Sequence, residues 1–155
     1  MAANKSEFNH IGLCVTDMVR SRAFYEEALG FTYWWELRPP DEGSALLLQL
    51  EQPLDLHAVY LIRDGLTLEL LGYRSERLRP WRQRSMAEPG LTHISLTVPD
   101  IEVATSRVEQ YGGSVVRETN MGGVAIMVRD PDGQLIELLG PEAMSGRPER
   151  PHTGV

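Results

Sequence analysis

From Phe8 to Val15 the chain alternates: Ile11, Leu13 and Val15 point one way, His10, Gly12 and Cys14 the other. That is the period of a half-buried strand. Asp17 is a helix N-cap, Met18 to Leu29 carries apolar residues at helical spacing, and Gly30 supplies the stop. Phe31 to Leu37 is aromatic-rich and reads as a strand. After the break at Pro39-Pro40, residues 42–51 lack β-branched side chains and run into Pro53, which predicts a short helix. Residues 56–62 form a strand, Arg63-Asp64-Gly65 a turn, and 66–71 a closing strand.

A polar stretch follows, and then the pattern returns. A strand is expected over 92–98 and a helix from Asp100 to Tyr111, stopped at Gly112-Gly113. Strands at 114–118 and 123–129 come next, and the tight turn Asp130-Pro131-Asp132-Gly133 leads into a strand at 134–139. The return extends to residue identity. His10-Ile11-Gly12-Leu13-Cys14-Val15-Thr16-Asp17 reappears 83 positions later as His93-Ile94-Ser95-Leu96-Thr97-Val98-Pro99-Asp100, and Gly30 as Gly113. Asp64 to Gly72 reappears as Asp132 to Gly140, identical at six of nine positions. The first half is longer because residues 39–53 are extra.

A repeat fixes architecture. Each half reads strand–helix–strand–strand–strand, so the expected class is α+β. Two tandem βαβββ modules have mixed sheets that form a cup with the helices outside. The modules span 8–72 and 91–140, joined by a linker over 73–90. Together they make one domain over 1–140, followed by a mobile tail over 141–155.

On the first strand of each half the apolar set should face the helices, which turns His10 and His93 into the cup. Leu68 and Leu70, like Ile136 and Leu138, should face the helices too, leaving Glu69 and Glu137 inside. One such residue alone reads as a satisfied core histidine or a solvated strand carboxylate. Four at repeat-related places read as ligands, because a mid-strand carboxylate among leucines is costly unless it is paired or holds a cation. Two imidazoles and two carboxylates suit Ni²⁺, Zn²⁺, Fe²⁺, Co²⁺ or Mn²⁺ rather than Cu(I).

Composition narrows the classes. With 42% hydrophobic and 24% charged residues the chain is that of a soluble globular protein. The net charge of −7 argues against general affinity for nucleic acid or an anionic membrane. No apolar run is long enough to span a bilayer, the first residues lack a signal peptide's apolar stretch, and one cysteine makes no internal disulfide, so a cytoplasmic location is expected. Arg74, Arg77, Arg79, Arg82 and Arg84 fall in one linker, read either as a solvated segment pairing with surface acids or as a rim for an anionic substrate. Tyr33, Trp34 and Trp35 are expected in the core, with lining of an aromatic-substrate pocket as the rival role. Cys14 is expected as a small core filler.

It is at these residues that the chain resembles the vicinal oxygen chelate superfamily, which includes glyoxalase I, methylmalonyl-CoA epimerase, extradiol ring-cleaving dioxygenases and fosfomycin or bleomycin resistance proteins. The landmarks are His10-Ile11-Gly12-Leu13, Phe24-Tyr25 with Leu29-Gly30-Phe31, His93-Ile94-Ser95-Leu96, and Asp130-Pro131-Asp132-Gly133 with Ile136-Glu137-Leu138. The resemblance covers roughly residues 8–140. It implies one divalent metal (Ni, Zn, Co, Mn or Fe) that chelates adjacent substrate oxygens, with His10, Glu69, His93 and Glu137 as ligands, a set similar to that of glyoxalase I. Epimerases usually carry Gln where this chain has Glu69. A three-ligand dioxygenase set would be met by His10, His93 and Glu137.

The first strand lacks the arginine and asparagine pattern associated with glutathione binding, which speaks against a glutathione substrate. The tight Asp130–Gly133 turn is unlike the longer epimerase connection, which speaks against methylmalonyl-CoA. The expected function is therefore a metal-dependent isomerase or lyase of glyoxalase type. It would move a proton next to a carbonyl of a small substrate, with Glu137 and Glu69 as catalytic candidates. The rivals are an Fe²⁺ extradiol-type dioxygenase and a non-catalytic drug-sequestering protein. A homodimer is expected, with the cup completed in cis or by exchange between subunits.

Overall fold

The computed structural model describes residues 6–79 and 81–148. The chain divides into two compact units, with the boundary between Gln83 and Arg84. In the first, β1 (Ile11–Val15) leads to α1 (Met18–Ala23), which continues as a π-helical segment over Phe24–Ala28. Then come β2 (Thr32–Leu37), α2 (Asp41–Leu48), β3 (His57–Arg63) and β4 (Leu66–Gly72). The second unit holds β5 (Ile94–Thr97), α3 (Ile101–Gln110), β6 (Ser114–Val116), β7 (Ala125–Arg129) and β8 (Leu135–Leu139). The sheets have the same order, β1-β4-β3-β2 and β5-β8-β7-β6. In each, the first strand pairs parallel to the last and the other pairs are antiparallel. Two tandem βαβββ units with mixed sheets are thus present.

The repeat is also physical at the helix starts. The Asp17 side chain accepts from the Arg20 amide and the Asp100 side chain from the Val103 amide, each at 3.0 Å. Each cap satisfies one of the amides that a helix start leaves without a partner. The stops differ. The left-handed residues are Gly30 (φ 71°) and Gly112 (φ 85°), not Gly113 as the repeat would place it. The first helix must therefore absorb one extra residue between cap and stop. The π-helical segment, wider by one residue per turn, is where it does so.

The apolar faces pack as the alternation requires. Val15, Val59, Leu61, Leu68 and Leu70 are buried with Phe24, Tyr25 and Phe31 in the first unit. Ile126, Val128, Ile136 and Leu138 are buried with Ile101, Ala104 and Val108 in the second. Between β3 and β4, Asp64 (φ 50°) and Gly65 (φ 77°) make a two-residue hairpin with both centres left-handed. That turn sets the register in which Tyr60 lies opposite Glu69.

Several expectations change. Tyr33, Trp34 and Trp35 are exposed, because β2 is the edge strand and its register shifts between Tyr33 and Trp35. Cys14 is exposed rather than a core filler, since it shares the Gly12 side of β1. His10 precedes β1 rather than lying within it, and the helix expected over 42–51 is α2, ending at Leu48 with Gln49 in the left-handed conformation. The linker contains a 3₁₀ turn at Ser75–Arg77, and Pro141–Met144 forms another at the start of the expected tail. Residues 149–155 of that tail lie outside the described residues. Among the described residues no helix is long and apolar enough to cross a membrane.

Candidate metal and substrate site

Each unit brings one imidazole against one carboxylate. In the first, His10 Nε2 is 3.0 Å from Glu69 Oε2. In the second, His93 Nε2 is 3.8 Å from Glu137 Oε2. Parallel pairing of first and last strand explains both. Glu69 lies opposite Gly12 and Glu137 opposite Ser95, so each carboxylate comes up beside the strand start that carries the histidine.

The other ring nitrogens are also occupied. His10 Nδ1 lies 2.6 Å from Asn9 Oδ1, and His93 Nδ1 lies 2.9 Å from Thr92 Oγ1. An amide oxygen only accepts, so the His10 Nδ1 donates and a neutral ring turns its Nε2 lone pair toward Glu69. Electron pairs facing each other at 3.0 Å call for a proton or a cation between them.

The surroundings of the carboxylates differ. Tyr60 donates its hydroxyl to Glu69 Oε1 at 2.5 Å and meets the His10 ring edge-on, with centroids 5.7 Å apart. Burial, followed by its hydrogen bond to Glu69 and the charge there, pushes the Tyr60 phenol well above its ordinary pKa, so it stays a donor. Trp35 stacks on Tyr60, with centroids 4.8 Å apart and planes 11° from parallel. Glu137 instead accepts from the Ser95 hydroxyl at 2.6 Å. Its side chain is 27% exposed, against 13% for Glu69. Gly12 is closely packed here: a Cβ there would lie 3.3 Å from Leu71 and 3.6 Å from Glu69 Oε2.

Sequence reasoning missed Tyr60, Ser95, Asn9 and Thr92. Tyr60 was within reach, since counting outward from Asp64-Gly65 pairs it with Glu69. His57, which sequence gave no role, sits between Glu36 Oε2 and an Arg38 guanidinium nitrogen, each at 3.1 Å.

A cavity of about 800 Å³ opens at the His10–Glu69–Tyr60 cluster of the first unit. Its walls come from the sheet and from α2, the segment that has no repeat partner. Three of the linker arginines are engaged locally. Arg77 donates to the Gln52 and Pro53 carbonyls, Arg84 to that of Pro89, and Arg74 pairs with Glu76.

Comparison with known proteins agrees with this architecture. A sequence model of the Glyoxalase/Bleomycin resistance protein/Dioxygenase superfamily matches residues 7–138. The lactoylglutathione lyase of Salmonella typhimurium is 30% identical over 134 residues, which cover 84% of this chain and 89% of that one. The crystal structure of a glyoxalase family protein from Bacillus cereus superposes with TM-score 0.75 at 19% identity, over 90% of this chain and 97% of the other. That of the fosfomycin resistance protein FosX from Listeria monocytogenes, complexed with Mn(II) and sulfate, superposes with TM-score 0.55 at 18% identity, over 88% and 93%. With its two βαβββ units and a family match over nearly the whole length, the chain belongs to the Glyoxalase/Bleomycin resistance protein/Dioxygenase superfamily.

Proposed function

We propose that the chain is a divalent-metal-dependent lyase or isomerase that moves a proton next to a carbonyl of a small substrate bearing two adjacent oxygens. The observation that carries this is the pair of half-sites: His10–Glu69 and His93–Glu137, one per unit, at repeat-related positions. The chemistry of the donors suits a borderline divalent ion: each pair offers one imidazole nitrogen and one carboxylate oxygen, 3.0 Å apart in the first unit and 3.8 Å apart in the second. Asn9 and Thr92 orient the rings from behind, the outer-shell arrangement that metal-bound histidines use. The Mn(II) held by FosX and the lyase activity of the Salmonella relative support the same reading.

His10, Glu69, His93 and Glu137 would be the ligands of the ion, the set being completed within the chain or between two copies in a homodimer. Bound there, a divalent ion supplies Lewis acidity to the two adjacent oxygens and so acidifies the neighbouring carbon. Glu69, clasped by Tyr60 and largely buried, is the fixed ligand. Glu137 is the more exposed of the two and carries a short bond from Ser95. It is the carboxylate that takes the proton from one carbon and returns it to the next.

Elemental mass spectrometry on protein purified anaerobically, without chelator or metal-affinity tag, identifies the ion. Deuterium exchange at the α-carbon of α-hydroxy ketones in D₂O then reads proton abstraction directly. Ni, Co, Zn or Mn with exchange supports the proposal. Iron with oxygen uptake on catechols would replace it with the dioxygenase reading, and ligand binding without metal or exchange would leave a binding protein.

A further inference from the structure

The cavity beside His10 and Glu69 has a chemistry of its own. Apolar residues dominate its walls, among them Leu37, Leu56, Ala58 and Leu71 from the sheet side and Leu46 and Leu47 from α2. Glu42 and Glu69 are its carboxylates, and among the described residues no Lys or Arg lines it. Ser44, the remaining hydroxyl besides Tyr60, already donates to the Pro40 carbonyl at 2.9 Å. Away from the His10–Glu69 end, an anionic group entering this space would meet the Glu42 carboxylate and no lysine or arginine, and would lose its hydration without a partner.

The wall is built to stay in place. The Asp41 carboxylate accepts from the Leu54 amide at 2.9 Å and the Asp55 amide at 3.0 Å, tying the start of α2 to the end of its own loop. Ala45 is buried with Leu54 and Leu56, and Leu48, Leu71 and Tyr73 pack against them. Yet Leu46 and Leu47 remain 83% and 81% exposed. A helix anchored on one side and left greasy on the other is consistent with an apolar ligand completing its burial. At about 800 Å³ the space falls within the range of small-molecule sites.

We infer that the substrate carries an uncharged hydrocarbon arm that lies between α2 and the sheet of the first unit, with its adjacent oxygens at the His10–Glu69 end. The inference rests on the metal site proposed above. It names the substrate class: an α-oxygenated carbonyl compound with an aliphatic or aromatic tail, not an anionic peptide conjugate.

The test uses alkyl hydroxamates, whose two adjacent oxygens chelate a divalent ion, titrated calorimetrically into Mn²⁺-loaded protein. From acetohydroxamate to octanohydroxamate, affinity should rise roughly fourfold per methylene until the cavity is filled. Suberic acid monohydroxamate, with a carboxylate at the tail, should bind at least about tenfold more weakly than octanohydroxamate, because burying an unpaired charge is costly. Leu46→Glu and Leu47→Glu, at positions exposed enough not to disturb folding, should leave acetohydroxamate binding intact and flatten the series. The neutral dye N-phenyl-1-naphthylamine, titrated into metal-free protein, reads the cavity without the ion and should bind more weakly to Leu47→Glu.

A flat series with acetohydroxamate still bound would overturn the arm and leave the metal site standing. Dye binding that Leu47→Glu weakens, with no hydroxamate bound, would overturn the metal site and keep the cavity. A flat series in which Leu47→Glu instead splits a dimer would assign the leucines to a subunit contact and overturn the inference.

Discussion

A row of four residues crosses each sheet through its glutamate, and the two rows do not match. In the first unit the register runs Gly12, Glu69, Tyr60, Trp35; in the second it runs Ser95, Glu137, Met127, Val116. The carboxylate is kept and everything around it has changed. In the first row a phenol locks the acid, a tryptophan stacks on the phenol, and the glycine at position 12 lets the strand pack closely against Leu71 and Glu69. In the second, a serine hydroxyl on the neighbouring strand makes the bond, and the thioether of Met127 stands where the phenol would be. The first unit also has α2, for which the described residues of the second show no counterpart, and the cavity that α2 lines. Each unit thus keeps an imidazole–carboxylate pair while its surroundings diverge; under the proposed function the first half would fix the ion and select the substrate and the second would react.

The largest effect should separate the two carboxylates. Glu137→Gln should lower α-proton exchange by about 10²–10⁴-fold while metal is partly retained. Glu69→Gln should act first through lost metal, read by elemental analysis of the same preparations. Full exchange activity in Glu137→Gln would remove the division of labour.

A second asymmetry concerns the donors behind the acids. Tyr60→Phe deletes the hydroxyl that holds Glu69 and should weaken metal binding by about 10–100-fold, as loss of outer-shell partners does. Ser95→Ala should act more on exchange rate than on affinity if Glu137 is the mobile carboxylate. Competition against a fluorescent chelator measures the first and NMR exchange the second.

Asp41→Ala, confined to the unrepeated segment, should destabilise the protein by about 1–3 kcal/mol by leaving two backbone amides unpaired. It should also loosen the cavity wall, so urea midpoint and dye affinity fall together. The smallest effects test what the halves still share. Asp17→Ala and Asp100→Ala each remove one N-cap bond of the same length and should each lose about 1 kcal/mol. A much larger loss for one would show that the caps are not equivalent.

The sequence carried most of this architecture because the repeat and the strand alternation are local signals. Period 2 alone turned Glu69 and Glu137 away from the buried faces of β4 and β8, while His10 and His93 stand just before β1 and β5. What remained hidden depended on pairing between distant segments. Tyr60 and Ser95 acquire roles only once register is known, and Trp35 was misassigned to the core because aromatic content does not reveal that β2 is an edge. The π-helical segment was invisible since Gly30 and Gly113 align in sequence, whereas the turn closes at Gly112. One wall of the cavity comes from the 39–53 segment, where composition could predict a helix but not which side it would leave apolar.

The central claim is that two half-sites, one per unit, make one metal centre. It is tested most directly by metal stoichiometry, measured by elemental mass spectrometry after reconstitution, in the wild type and in two double variants. These are His10→Ala with Glu69→Ala, and His93→Ala with Glu137→Ala. The account predicts about one divalent ion per chain in the wild type and essentially none in either variant. Two ions per chain, retention of one ion when either half is removed, or no metal in the wild type with any of the five candidate ions would contradict it.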